Sequence, residues 1–496
     1  MSDWKRQHSA AIFIGFLSSI KEMLFTMLAV LIFGQSSQFG GGWFYTIFFA
    51  LILVFSLANG IIKWATFKYK LQENELQIKH GLIFRKSRYI RKERIQSIDI
   101  NAKLLQRLFG LVELRIETAG GGAEPEFRLI ALRREEANLI KTELLKRQAI
   151  DIEGSIDESA EDLKDIPASD EKFTDFTWEL SKQRLVIAAI TSSGIGIAAT
   201  FVAAITSQVQ QFIPEAMYER VIGWVIHSSV LLIGFWIVFI LLIGWIISLI
   251  STLLKYGMFK IDKRDDEIHI SRGVIEQRQL TLSAKRITAV RLVQNIIRQP
   301  FGFVSVYVES AGGGRKDEDL STILIPICKK GEVNQLLKEV LPDFVVEKAY
   351  EPLPAKSVRR YIIRLIIPSV FVATLLVYFF NWGWITIIIP LLAGAYGYWQ
   401  YSSAGIGIDG NNLLLKSRAI SLTEVILPRK RIQAMKSTQS LFQRLDDLCT
   451  IHVSIITSIV GKTFSLRHIS KDQRDHQFSW YSYEEEKENI KGESKG

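Results

Sequence analysis

Long apolar stretches alternate along this chain with segments in which apolar and polar residues take turns. A helix crossing a bilayer needs about 20 mostly apolar residues. Six stretches approach that length: Ile12–Phe33 and Trp43–Trp64, Leu185–Thr206 and Val230–Leu254, Leu365–Phe380 and Trp382–Tyr401. They fall into three pairs and predict three transmembrane hairpins. Lys21 and Glu22 interrupt the first stretch, which fits an interfacial segment before a short span, or a tilted helix with Lys21 reaching the headgroups. Basic residues flank the outer ends: Lys5 and Arg6; Lys63, Lys68 and Lys70; Lys182 and Arg184; Lys255 and Lys260; Lys356, Arg359, Arg360 and Arg364. The connection at 34–42 has no charge. Lysine and arginine favour cytoplasmic loops, so both termini and every long polar segment are expected on the cytoplasmic side.

Each hairpin is followed by a β-rich polar segment, and these segments repeat. "QRLFGLVELRIETAGGG" (106–122) and "RQPFGFVSVYVESAGGG" (298–314) match at eight of seventeen positions, at an offset of 192. "GLIFRKSRYIRKERIQSIDI" (81–100) aligns with 273–292 at the same offset, and 417–436 matches the first copy at an offset of 337. Leu114 and Ile116 alternate with Glu113, Arg115 and Glu117, the period of half-buried antiparallel strands. Amphipathic helices are predicted at 134–147 and 330–341, with a weaker equivalent at 471–483. A small antiparallel sheet curled into a barrel, closed by one helix, is the economical packing for such a unit.

The stretches "RIQSIDI…LLQRLFGLVELRIETAGG" and "RKRIQAMKSTQSLFQRL", with the hairpin-plus-domain unit occurring three times, resemble the bacterial pleckstrin-homology-like family (bPH2, DUF304), in particular its YdbT-like multi-pass members. The resemblance covers nearly the whole chain. It implies an α-helical polytopic protein of the bacterial plasma membrane, with six spans as three hairpins and three cytoplasmic PH-like β-barrel domains, each ending in a helix. The expected division is hairpin 1 in 1–66, PH-like domain 1 in 67–148 and an acidic linker in 149–180. Hairpin 2 (181–256), domain 2 (257–345), hairpin 3 (346–402), domain 3 (403–483) and a charged tail (484–496) follow. The family implies no reaction. The expected role is a non-enzymatic scaffold or adaptor at the membrane, in envelope integrity or resistance to membrane-active agents, and the resemblance implies a smaller membrane protein carrying one PH-like domain as partner. The competing class is a transporter or lipid-handling protein with a path between the hairpins.

Composition adds little chemistry and some electrostatics. There are two cysteines, no CxxC pair and scattered histidines, so neither a disulfide framework nor a zinc site is expected. "AGGGRK" (311–316) and Gly461-Lys462-Thr463 lack the spacing of a phosphate-binding loop. No catalytic residue, metal or cofactor is expected. The net charge of +10 points to anionic phosphates. Nineteen cations against eleven acids lie between Lys63 and Arg147. Arg85, Lys86, Arg88, Arg91, Lys92 and Arg94 crowd one hairpin, and Arg429, Lys430 and Arg431 stand in the third copy. With Arg286 they form the candidate surface for anionic headgroups or a partner; the competing reading is an ordinary solvated strand face. Arg94, Arg286 and Arg431 are repeat-equivalent, which favours a structural role. Nucleic acid is not expected, since no RNP-like motif or recognition helix is visible.

Overall fold

The computed structural model describes residues 4–18, 20, 43–72, 75–82, 84–92, 95–118, 127–145, 175–192, 230–310, 322–379, 383–457 and 461–482. Helix α1 (Trp43–Thr66) leads into the first copy, which is β1 (Lys68–Leu71), β2 (Glu75–His80), β3 (Lys86–Arg91), β4 (Ile95–Ala102), the short helix α2 (Leu104–Leu108), β5 (Leu111–Thr118), β6 (Phe127–Arg133) and helix α3 (Arg134–Leu145). After β7 (Phe176–Glu179), α4 (Lys182–Ile190) and α5 (Val230–Tyr256), the second copy runs through β8 (Lys260–Arg264), β9 (Glu267–Arg272), β10 (Gln277–Ser283), β11 (Ile287–Gln294), β12 (Phe303–Ser310), β13 (Thr322–Lys329) and α6 (Val333–Val340). Then come β14 (Glu351–Pro352), α7 (Ser357–Phe379) and α8 (Ile388–Ser402). The third copy is β15 (Gly405–Asp409), β16 (Asn412–Arg418), β17 (Leu422–Pro428), β18 (Ile432–Thr438), α9 (Leu441–Arg444), β19 (Leu448–Ile455), β20 (Lys462–Ser470) and α10 (Lys471–Ser482).

Among the described residues no sheet closes into a barrel, which corrects the expected fold. The described strands form four open antiparallel sheets, ordered β1-β2-β3, β6-β5-β4-β10-β9-β8-β7, β13-β12-β11-β17-β16-β15-β14 and β18-β19-β20. The reason lies between the third and fourth strands of each copy. They do not pair with each other; the fourth strand of one copy takes the third strand of the next. Gln277 faces Ala102 where β10 meets β4, and Leu422 faces Gln294 where β17 meets β11. Offsets of 192 and 145 carry the first of these pairs onto the second, so both joints share one register.

The chain divides into two compact units: Met1–Glu179 with Leu254–Leu282, and Leu180–Leu253 with Ser283–Gly496. In the first, Leu76, Ile78 and Ile90 from β2 and β3 share a core with Ile98, Leu114, Ile116, Leu129 and, from α3, Ile140. In the second, Leu413, Val425 and Leu427 share a core with Ile451, Val453, Leu466 and Trp480. Burying one such aliphatic side chain contributes about 1.5–3 kcal/mol. Two three-stranded layers and a closing helix therefore bury their faces on each other in each of these copies.

The six expected spans are corrected as well. Among the described residues two helices are long and apolar enough to cross a bilayer, at Gly234–Tyr256 within α5 and at Ser357–Phe379, the whole of α7. Only 11% and 6% of their most apolar stretches is buried, which separates them from core helices of a globular domain. In α1 the apolar part described is shorter, Ala50–Thr66. The sixth stretch is broken: Gly383–Ile387 is a 3-10 turn, and α8 has 15 residues. Most of the first stretch and of the third lies outside the described residues. The multi-pass scaffold or adaptor, its hairpin transport alternative and the cytoplasmic placement of both termini and three domains all rested on six spans and three barrels, and they fall with that count. Helices α7 and α8 do pack directly: a Cβ at Gly397 would meet Tyr361 O and Ile362 Cα at 2.9 Å, so only glycine lets the backbones approach this closely.

Candidate functional site: apolar turns beside the helix ends

Two turns in each copy expose large apolar side chains. The first joins the second and third strands. It carries Leu82 and Phe84 in copy 1, Val274 and Ile275 in copy 2, and Ile420 in copy 3. Phe84 is 81% exposed and precedes Arg85 and Lys86, so apolar and cationic groups share one tip. In copies 2 and 3 this turn is held at the end of an apolar helix. The amides of Gly273 and Val274 donate to Gly257 O (2.8 Å) and Leu254 O (3.0 Å) at the end of α5. Gln400 Nε2 of α8 donates to Ala419 O at 3.1 Å, and Tyr396 Oη donates to the same carbonyl.

The second turn follows the fourth strand and exposes Leu104, Leu108 and Phe109, then Ile296, Ile297 and Phe301, then Leu441, Phe442 and Leu445. Each turn closes on a residue of positive φ: Gly110 (65°), Gly302 (67°) and Asp447 (54°). Asp tolerates this region better than most side chains, which is how the third copy keeps the turn although its Phe-Gly step has become Asp446-Asp447.

Every second turn docks on the helix that opens its own repeat. In copy 1, Phe109 meets Phe13 edge-on at 5.9 Å, and Leu105 packs with Ala10 and Ala11 against a cluster of Ile14, from the helical residues 10–18, with Leu111 and Ala131. In copy 2, Asn295 Nδ2 donates to Thr191 O (2.8 Å), while Arg298 donates to Thr191 Oγ1 (3.0 Å) and Ala188 O (3.2 Å) at the end of α4. That end of α4 in turn meets the apolar helix α5, through Trp245 Nε1 to Ile190 O at 3.0 Å and Ser248 to Ser192 at 2.9 Å. In copy 3, Arg360 in the first turn of α7 donates to Asp446 and to Phe442 O, both at 2.6 Å, and Arg359 reaches Asp446 at 3.1 Å. Beside this contact lies a groove of about 700 Å³ lined by Val358, Ile362, Ile363 and Leu445 with Lys356 and Arg359. Desolvation pushes the Asp446 carboxyl up, but hydrogen bonds and charge from Arg360 and Arg359 outweigh it and hold its pKa below the ordinary value.

One repeat-equivalent position clamps each turn from beneath. Buried Gln106 accepts from Lys103 N (2.8 Å) and donates to Ile130 O (2.8 Å). Gln443 accepts from Ser440 N (2.9 Å) and donates to Thr450 Oγ1 (2.9 Å) and His468 Nδ1 (3.1 Å). In copy 2 this residue is Arg298, whose guanidinium also reaches Ser305 and Pro326 O. The sequence reading aligned these residues but assigned them no role. The available signal was the "LLQRLF" run, whose apolar residues fit neither a strand period nor a long helix.

The predicted cationic surface is brought together only in part. Arg85, Lys86, Arg88 and Arg91 lie exposed in or beside β3. Lys92 turns inward, 3.9 Å from Glu143; Arg94 lies outside the described residues. In the third copy Arg429 stands over the Trp480 ring at 5.4 Å, Lys430 pairs with Asp343 at 2.8 Å, and Arg431 donates to Lys285 O. Arg286 is half-buried. Gly461-Lys462-Thr463 opens strand β20 rather than a helix, with Lys462 on Glu309 at 2.7 Å. Among the described residues no three His, Cys, Asp or Glu side chains come together to hold a metal.

Open sheets shared between successive copies, with apolar turns docked on helix ends, define a class: a tandem PH-like protein carrying exposed apolar helices. A bacterial PH domain family model matches residues 16–148, 211–343 and 362–484. The chain belongs to that family. It is also 34% identical, across 98% of its own length and 99% of the relative's, to the UPF0699 transmembrane protein YdbT of Bacillus subtilis (strain 168). Among the described residues there is no cluster of His, Cys, Asp or Glu side chains able to hold a metal ion.

Proposed function

We propose that the protein is a bilayer-anchored binding protein whose PH-like copies read the membrane surface. Helices α5 and α7 anchor it, apolar turns enter the interface, and the β3 cations contact anionic headgroups. The observation that carries this reading is the second turn. Three copies that differ widely elsewhere all expose large apolar residues there, and all tie that turn to an apolar helix. A soluble domain has no reason to keep Leu104, Ile296 and Leu441 in water at equivalent places, whereas at an interface their burial is favourable and nearby cations add about 1 kcal/mol each on an anionic leaflet. The word transmembrane in the relative's name agrees with it.

The test is a polarity-sensitive fluorophore on a cysteine at Leu108 or Leu445 in the full chain reconstituted into vesicles. A blue shift, with quenching by lipids labelled near the headgroup, is expected at both sites, and no change at Lys430. Probes that stay in water at Leu108 and Leu445 would refute the reading. Replacing Arg85, Lys86 and Arg91 with glutamine should lower co-capture of anionic over zwitterionic lipid severalfold.

A further inference from the structure

Among the described strands, the two inner joints leave two equivalent edges without a joint. β4 and β11 each receive the third strand of the next copy, but β18, their equivalent, is an end strand of its sheet. β10 and β17 each join the preceding copy, but β3, their equivalent, is also an end strand. Burial follows the joints. β11 is almost wholly covered, while Gln433, Ala434, Lys436 and Thr438 of β18 are exposed. β17 is nearly all buried, while five of six residues of β3 are exposed.

We infer that β18 and β3 are the two halves of a third joint of the same kind, made head-to-tail between two copies of this chain, and that opposed cations hold it open. The register follows from the inner joints. Shifting the β11–β17 pairs by the repeat offsets places Lys86 opposite Thr438, Ser87 opposite Ser437, Arg88 opposite Lys436 and Tyr89 opposite Met435. In the second joint the pair at the Lys436–Arg88 position is Arg291 facing Val425. Arg88 thus replaces an apolar residue, Val425 in copy 3 and Leu280 in copy 2, and meets a second cation. Lys436 lies diagonal to Lys86 as well. Like charges opposite one another weaken strand pairing, and charge on an end strand is a common guard against strand addition. Met435 with Tyr89 and Ser437 with Ser87 remain compatible with pairing, so the joint is latent rather than absent.

The test uses the full chain in neutral detergent without anionic lipid, followed by sedimentation over a range of concentrations. Lys436→Glu should tighten self-association about tenfold, since it turns repulsion from Arg88 and Lys86 into attraction. Arg88→Glu should act in the same direction and more weakly. The double reversal restores like charges and should return the chain to the wild-type level. Circular dichroism checks that these exposed substitutions leave the fold intact. In the Lys436→Glu background, Ser87→Cys with Ser437→Cys should form a disulfide between chains, while Ser87→Cys with Ala434→Cys should not; the native Cys328 and Cys449 are buried. Single reversals without effect, a double reversal that associates as tightly as either single one, equal crosslinking out of register, or a wild type that already crosslinks fully would each overturn the inference.

Discussion

His468 shows how one side chain senses the contact between the third copy and its helix. Its Nδ1 must accept a hydrogen bond, because Gln443 presents its amide nitrogen: the Gln443 oxygen is committed to Ser440 N in a capping box. The Tyr361 ring stands edge-on at 5.3 Å, and Ser357 Oγ of α7 donates to the His468 carbonyl at 2.6 Å. Burial, then the charges of Arg364, Arg467 and Arg360, push the imidazole pKa down to about 4. The unfolded chain takes up this proton near pH 6.5. Between these values the unfolded state binds more protons, so stability rises with pH. The contribution is complete above about pH 6.5 and is lost as pH falls to about 4, on the order of 1–2 kcal/mol after allowance for solvent screening. His468→Gln should flatten that part of the stability curve, measured by denaturant titration across pH 4–7; an unchanged slope would remove His468 from the account.

Among the elements, the shared sheets explain where the sequence was readable and where it was not. Period-two alternation located the strands, and Leu114 and Ile116 are buried as expected. Glu113 and Arg115, expected on the solvated face, are buried too and pair with each other at 2.6 Å. Alternation reports one buried face; it cannot report that the other face is covered, nor which strand lies next door. For the same reason a closed barrel was the economical guess for six strands and a helix. Nor could the hydropathy of 382–401 show the 3-10 turn that breaks it. Glu309 on β12 is a sharper case of burial beyond the sequence. It is wholly buried between Arg291 of β11 and Lys462 of β20, both at 2.7 Å, and so links the second half of copy 2 to the third copy. Removing one partner strands the other charges, at a cost of about 3–5 kcal/mol. Glu309→Ala should therefore lower the unfolding midpoint of this unit more than Glu424→Ala. Glu424 is also buried, but its partners Lys330, half in solvent, and Lys416, at 3.7 Å, hold it less tightly. Equal losses would count against a special role for Glu309.

For the whole molecule, three repeats in the sequence do not translate into three independent bodies. The repeat itself was fully legible, and so was the family, since the offset of 337 holds without gaps through the strands and that of 192 through the first five, before four extra residues shift the sixth. What similarity between copies cannot reveal is whether each closes on itself. The boundary between compact units falls between Leu282 and Ser283, at the last residue of β10 and inside the second copy. The first half of that copy extends a sheet with β4, and its second half extends another with β17. An excised fragment 257–345 would lose both partners at once, leaving two long edges free to pair with other chains. With Phe301 replaced by serine to lower its surface hydrophobicity, this fragment is still expected to lack a cooperative thermal transition or to aggregate. A fragment 403–483 keeps the core of copy 3 from Leu413 to Trp480 and loses only one joint. It should retain more strand signal in circular dichroism and a later transition. If 257–345 instead folded as a soluble, cooperative monomer, sheet sharing would be an accessory to the fold rather than a condition for it.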